Sequence, residues 1–90
     1  MGKKRSRIDI ITDMLDSIQQ KAGEIKPTHL MYKSNLSHTQ MKSYLEELID
    51  KELIRKITRK DYGYIIITDK GNRFLAKLKE MKEFEMTFGL

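Results

Sequence analysis

The 90-residue sequence contains no cysteine, a single proline, and no apolar run approaching the length of a membrane span. Without thiols neither a disulfide framework nor a thiolate metal site can form, which fits a reducing compartment. The lack of a long apolar run excludes a spanning helix, and no charged-then-apolar segment begins the sequence, so a cytoplasmic protein with no membrane partner is expected. No glycine-rich phosphate loop is present, and His29 and His38, the only histidines, lack the spacing of a helical metal pair. Carboxylates are numerous but have basic neighbours on helix surfaces, the pattern of solvated ion pairs rather than a catalytic dyad. An enzyme, a metal site and a cofactor are therefore not expected.

What is present is basic. A net charge of +5 favours a polyanionic partner. The distribution is more informative than the total: Lys3, Lys4, Arg5 and Arg7 precede the first acidic residue, and from Lys26 to Lys42 there are three lysines and no acid. This length suits one small domain over residues 1–90.

The segment from Asn35 to Ile49 organises the chain. Ser37 is a good N-cap, and Gln40 three residues on can bond the cap's own amide to close a capping box. Met41, Tyr44, Leu45, Leu48 and Ile49 then recur at helical spacing on one face. The opposite arc is polar at its start (Thr39, Gln40, Lys42, Ser43) and acidic at its end (Glu46, Glu47, Asp50). Phosphate oxygens are favoured near the start, where the helix dipole is positive, and repelled by the end.

Upstream, Ile8, Ile11, Leu15 and Ile18, with Met14 beside them, predict a first helix from about Arg5 to Ala22, ended by Gly23, with Asp9, Asp13 and Asp16 on its solvent side. Glu24 to Lys26 reads as a short edge strand before Pro27. Pro27 starts a short helix running to about Ser34 with Leu30, Met31 and Tyr32 inward, and Leu36 plugs the turn before the capped helix, in a helix-turn-helix pattern. Downstream, Leu53 to Thr58 and Tyr62 to Thr68 are β-rich runs joined by Arg59, Lys60 and Asp61. They predict a hairpin wing, about 58–63, slightly irregular at Gly63. Thr68 caps a last helix over 69–88, with Phe74, Leu78 and Met81 as its inner stripe and Gly71 allowing a close approach. The expected fold class is α+β, a three-helix core with a β-hairpin wing and a C-terminal helix.

Met31, Tyr32, Lys33, Ser34, Asn35, Leu36 and Ser37, followed by Gln40, Tyr44, Leu45 and later Thr68, Asp69, Lys70 and Gly71, resemble the small archaeal winged helix-turn-helix DNA-binding proteins. The resemblance covers about Ile8 to Met81. It implies that the capped helix, about 37–51, is a recognition helix and the hairpin a wing. It also implies that some members dimerise through a long C-terminal helix, which here extends only about two turns past Met81.

Double-stranded DNA is accordingly the expected partner, bound by a transcriptional regulator or chromatin-associated protein. Thr39, Gln40 and Ser43 stand where a recognition helix meets base edges, with His38 and Lys42 flanking and Ser37 at the cap. Lys33 and Ser34 from the preceding helix, and Arg59 and Lys60 from the wing, are the expected phosphate contacts. The competing reading is a winged-helix protein-interaction module using Glu46, Glu47, Asp50 and Glu52, because fold alone does not fix function.

A homodimer is expected through Phe74, Leu78, Met81, Phe84 and Phe88. Phe74, Leu78, Met81 and Phe88 follow a heptad seam with Glu85 at its one polar position. Two short motifs carry little weight. Met1, Gly2 and Ser6 match an N-myristoylation pattern of high chance frequency. Asn35-Leu36-Ser37 is a glycosylation sequon whose serine is already used as a cap.

Overall fold

A computed structural model describes residues 5–90 of the chain, so the Met1-Gly2 motif, Lys3 and Lys4 lie outside the described residues. The elements run α1 (Arg7–Gln20), β1 (Glu24–Ile25), α2 (Pro27–Lys33), α3 (His38–Asp50), β2 (Ile54–Arg59), β3 (Tyr62–Ile67) and α4 (Asp69–Phe88). The strands form an antiparallel sheet in the order β1-β3-β2. This is the expected α+β arrangement, including the edge strand before Pro27.

α1 lies at the centre. Its Met14, Leu15 and Ile18 are fully buried, and it packs on α2, α4, β1 and β3. The helix begins two residues later than expected because Ser6 and Asp9 close a capping box, with the Ser6 amide donating to Asp9 Oδ2 at 2.9 Å. That backbone hydrogen bond, and then the Ser6 hydroxyl, hold the Asp9 carboxyl below its ordinary pKa. Ile10 joins the core, whereas Ile8, in the first turn and beyond the covering elements, is 47% exposed. At the other end the left-handed position falls on Ala22 (φ 59°) as well as Gly23 (φ 87°), and Gly23 N bonds Ile18 O at 3.0 Å.

α2 buries Leu30 but leaves Tyr32, expected inward, 73% exposed, because a seven-residue helix turns only one narrow face to α1. A Schellman cap ends it: Asn35 takes φ 54°, Asn35 N bonds Tyr32 O and Leu36 N bonds Met31 O. Leu36 is buried as the plug of the turn. Across the turn, α3 buries Met41, Leu45 and Leu48, with Tyr44 and Ile49 half-buried.

The hairpin is regular through Thr58↔Gly63 and Arg59↔Tyr62, so the expected irregularity at Gly63 is absent. The unusual backbone is instead in the two-residue turn, Lys60 (φ 51°) and Asp61 (φ 68°), the positive-φ pair that a tight hairpin loop requires.

Thr68 Oγ1 accepts from Gly71 N at 2.9 Å, and its hydroxyl proton lies within reach of the Glu52 and Leu53 carbonyl oxygens. α4 then buries Gly71, Leu75 and Leu78, with Phe74 half-buried. Met81, expected on the inner stripe, is 60% exposed, because the helix has by then run past the elements that cover it.

A Cβ on Gly71 would stand 2.1 Å from the Leu53 carbonyl oxygen and 2.8 Å from Ile67 Cγ1. Gly71→Ala is therefore expected to destabilise the fold by about 1–3 kcal/mol, read as a lower urea midpoint at unchanged m-value. A midpoint equal to that of the unsubstituted protein would mean that the Leu53 carbonyl can retreat at little cost.

Candidate nucleic-acid interface

The start of α3 is built by the capping box expected for it. Ser37 Oγ accepts from Gln40 N at 3.2 Å, and the Ser37 amide donates to Gln40 Oε1 at 3.0 Å. The box satisfies two of the terminal amides, and among the described residues the N–H groups of His38 and Thr39 have no protein acceptor. His38, Thr39, Gln40, Lys42 and Ser43 are all exposed around these amides. The arc thus offers hydroxyl, amide and ammonium donors at the positive end of the helix dipole.

Gln40 is more restricted than the sequence suggests. Its side-chain oxygen is occupied by the cap, leaving the NH2 group as the part free to meet a ligand. Bidentate recognition of adenine needs both halves of the amide, so Gln40 can read a base in that way only by opening the capping box.

Two arginines that sequence reasoning counted only as bulk charge support this end of the molecule. Arg5 spans from Asp13 Oδ2 (2.9 Å) to the carbonyl oxygen of Asn35 (3.0 Å), clasping the turn before the recognition-type helix to α1. Arg7 pairs with Glu47 and lies 6.0 Å from the centre of the Tyr44 ring. It reduces the negative charge at the far end of α3. Both contacts join residues distant in sequence, and no local pattern signals them.

The expected phosphate contacts divide. Ser34, the C-cap of α2, is fully buried, with no hydrogen-bond partner for its hydroxyl, so it is not a surface ligand. Lys33 is exposed, and its ammonium rests 3.4 Å from Gln20 Oε1 on α1. Lys60 is exposed at the tip of the hairpin. Arg59 is exposed but already engaged: its guanidinium bonds Glu24 Oε2 at 2.7 Å and sits 5.8 Å from the Tyr64 ring centre. The residues that come together are therefore Ser37, His38, Thr39, Gln40, Lys42 and Ser43, all within the first turns of α3, while Lys33 and Lys60 stand on other elements.

Among the described residues no cluster of His, Cys, Asp and Glu could hold a metal ion, and no helix is long and apolar enough to cross a membrane.

Comparison with known proteins gives a consistent architecture. The sequence pattern of a family described as winged helix-turn-helix matches residues 4–86. An uncharacterized protein of Methanocaldococcus jannaschii, MJ0290, is 36% identical over 78 residues, which cover 87% of this chain and 34% of the relative. The chain thus spans about a third of the length of that relative. Among solved structures, Sso10a-2, a DNA-binding protein from Sulfolobus solfataricus, aligns with a TM-score of 0.80 at 19% identity over 93% of this chain and 85% of that one. F93 from STIV, a winged-helix DNA-binding protein, gives 0.74 at 19% identity over 91% and 92%. BldR, a transcriptional regulator from Sulfolobus solfataricus, gives 0.74 at 15% identity over 89% and 60%.

Gln40→Ala is expected to cost roughly 1 kcal/mol of stability, because the Ser37 amide loses its side-chain acceptor. Gln40→Glu should keep the box and the stability. Thermal unfolding of the two variants side by side tests the cap, and equal melting temperatures would remove it from the account of α3.

Proposed function

The chain belongs to the winged helix-turn-helix family, and from that membership we propose that it binds double-stranded DNA as a transcriptional regulator or chromatin-associated protein of the cytoplasm. The observation that carries the reading is the polarity of α3. Its exposed start combines free backbone amides, Thr39 and Ser43 hydroxyls, the Gln40 NH2 group and Lys42, with no carboxylate among them. A phosphate or base edge is favoured at that end and disfavoured at the Glu46 and Asp50 end, so the helix enters the major groove by its N-terminal turns. Lys60 at the hairpin tip and Lys33 reach flanking phosphates, in the division of labour in which phosphate contacts position and base contacts specify. The DNA-binding descriptions of Sso10a-2 and F93 support the same reading.

The second part of the proposal is a homodimer through the end of α4. Leu78 is buried in its own domain and Phe74 half-buried there, so neither is free for a partner. Met81, Phe84 and Phe88 are 60%, 57% and 65% exposed and follow three-then-four spacing, a heptad seam that avoids Glu85. The Phe84 and Phe88 rings lie against each other, their centroids 4.7 Å apart and their planes tilted by 41°. Ile8 and Met81 line one groove between α1 and α4, which extends the apolar surface back onto the domain. A second copy of α4 covers this surface, and a two-fold pair of recognition helices then addresses two half-sites about one DNA turn apart.

Two measurements test these readings. Lys42→Ala and Lys60→Ala should each make the slope of log affinity against log salt shallower by about one unit. Arg59→Ala should change it less, since Glu24 already neutralises that guanidinium. Thr39→Ala and Ser43→Ala should alter preference among sequences by roughly 1 kcal/mol and leave the slope intact. An unchanged slope for Lys42→Ala would overturn the groove placement of α3. For the dimer, sedimentation equilibrium of the full chain should give a dimer, and a version ending at Lys79 a folded monomer with weaker DNA binding. A full chain that stays monomeric at high micromolar concentration would defeat it.

A further inference from the structure

Gly63 is a glycine that the fold does not require. It lies inside β3, paired directly with Thr58 in a regular ladder, and its φ is not positive. A Cβ built on it meets nothing within 4 Å, whereas one on Gly71 would strike the Leu53 carbonyl. The turn of the hairpin is made by Lys60 and Asp61, so the reversal of the chain does not call for it either. Glycine inside a strand costs stability, through the entropy lost on folding and the missing side-chain contact, and it often marks a place where a ligand or another backbone comes close.

The register defines the surface on which this bare position opens. Directly paired residues share a face of an antiparallel sheet, and alternate residues along a strand do the same. Thr58, Gly63 and Lys56 therefore lie on the side of Ile54, Ile65 and Ile25, which are buried in the core. Nearer the tip, Thr58 and Gly63 are exposed, as is Lys56 beside Ile65, so the covering elements end between Ile65 and Gly63 and leave this inner face open. The open strip carries the Lys56 ammonium, the Thr58 hydroxyl and bare backbone, with no carboxylate on its strand positions. Asp61 stands in the turn next to Lys60, and Glu46 and Asp50 lie on α3, against which β2 packs. Among the described residues none of these acids forms an ion pair with Lys56. The outer face differs, because its Arg59 is bound to Glu24 and lies against the Tyr64 ring, and Lys26 lies against Tyr62.

We propose that the hairpin lies on the duplex by this inner face, with one strand of the sugar-phosphate backbone seated against the main chain at Gly63 while Thr58 Oγ1 and Lys56 Nζ donate to its phosphate oxygens. Side chains of directly paired residues stand about 5 Å apart, so any side chain at position 63 would occupy the space beside the Thr58 hydroxyl. An ammonium and a hydroxyl with no carboxylate between them suit a phosphate oxygen. The inference rests on the duplex-binding reading and adds an orientation to it. Lys60 at the tip meets a phosphate whichever way the hairpin is turned, whereas contact at Gly63 fixes the face that is turned to the DNA.

Valine at this position separates what the fold favours from what the ligand needs. The Gly63→Val chain should have a higher urea midpoint, because the added side chain meets no neighbour and suits a strand. It should nevertheless bind a labelled random duplex about tenfold more weakly, the scale of one lost hydrogen bond to a charged group. Tyr62→Val places the same side chain one residue away on the outer face and should leave duplex affinity within about twofold, the usual range for a surface substitution. Lys56→Ala should make the slope of log affinity against log salt shallower by about one unit. Fluorescence anisotropy gives the affinities, and circular dichroism verifies the fold of each variant. Lys42→Ala reports on α3 separately: if it weakens the duplex while Gly63→Val does not, the duplex reading stands and this inference falls. An equal loss in Tyr62→Val, an unchanged slope in Lys56→Ala, or a lower urea midpoint in Gly63→Val would each overturn it as well. Absence of duplex binding by the unsubstituted chain would overturn the reading beneath it and the inference together.

Discussion

The carbonyl of Leu53 is the contact on which the relative placement of three elements depends. Leu53 N closes the C-terminal cap of α3 on Leu48 O, its side chain is buried, and its carbonyl accepts from Thr68 N at 3.1 Å. The Thr68 that donates is also the cap of α4, whose Gly71 leaves the space this oxygen occupies. The end of α3, the start of the hairpin and the start of α4 are thereby held at one point. Any side chain at residue 71 would force them apart, which is why glycine is found in a helical first turn despite its low propensity.

With α3 held in this way, its polarity becomes directional. The same helix that buries Met41, Leu45 and Leu48 must present Thr39, Lys42 and Ser43 outward, and the capping box leaves its first amides available. Arg5 ties the preceding turn to α1, and Arg7 offsets Glu47. Exposed ion pairs of this kind add little stability individually. Their effect here is on the field, because each decides which charge remains for a ligand. Arg59 illustrates the point: paired with Glu24 across the central strand, it belongs to the outward sheet face more than to the hairpin tip.

α4 has two physically different halves. As far as Leu78 it closes the core; beyond, Met81, Phe84, Met86 and Phe88 are exposed. The structure is correspondingly elongated, 48 × 30 × 22 Å with a radius of gyration of 13.6 Å against about 12 Å for a compact domain of this length. An apolar surface of this extent on a protruding helix is unusual for an isolated molecule.

Local information in the sequence determined most of the elements. Hydrophobic spacing specified α3, the β-branched runs specified the hairpin, Ser37, Gln40 and Thr68 marked helix starts through hydrogen bonds that reach only three residues, and Pro27 marked another through its fixed φ. The order of elements, the Leu36 plug and the close approach at Gly71 were legible for the same reason. Burial was legible only where periodicity and covering elements coincide. Ile8, Tyr32 and Met81 fit a helical stripe yet are exposed, and Leu75 lies in the core, because the width of a buried face depends on which neighbours extend over it. Tertiary structure alone decided that Ser34 is interior, that Arg59 faces Glu24, and that Arg5 and Arg7 attach to Asn35 and Glu47. The three arginine contacts join segments thirty to forty residues apart in the chain. A charge pattern along a sequence records which residues are available for pairing, whereas the folded geometry decides which of them remain free to meet a ligand.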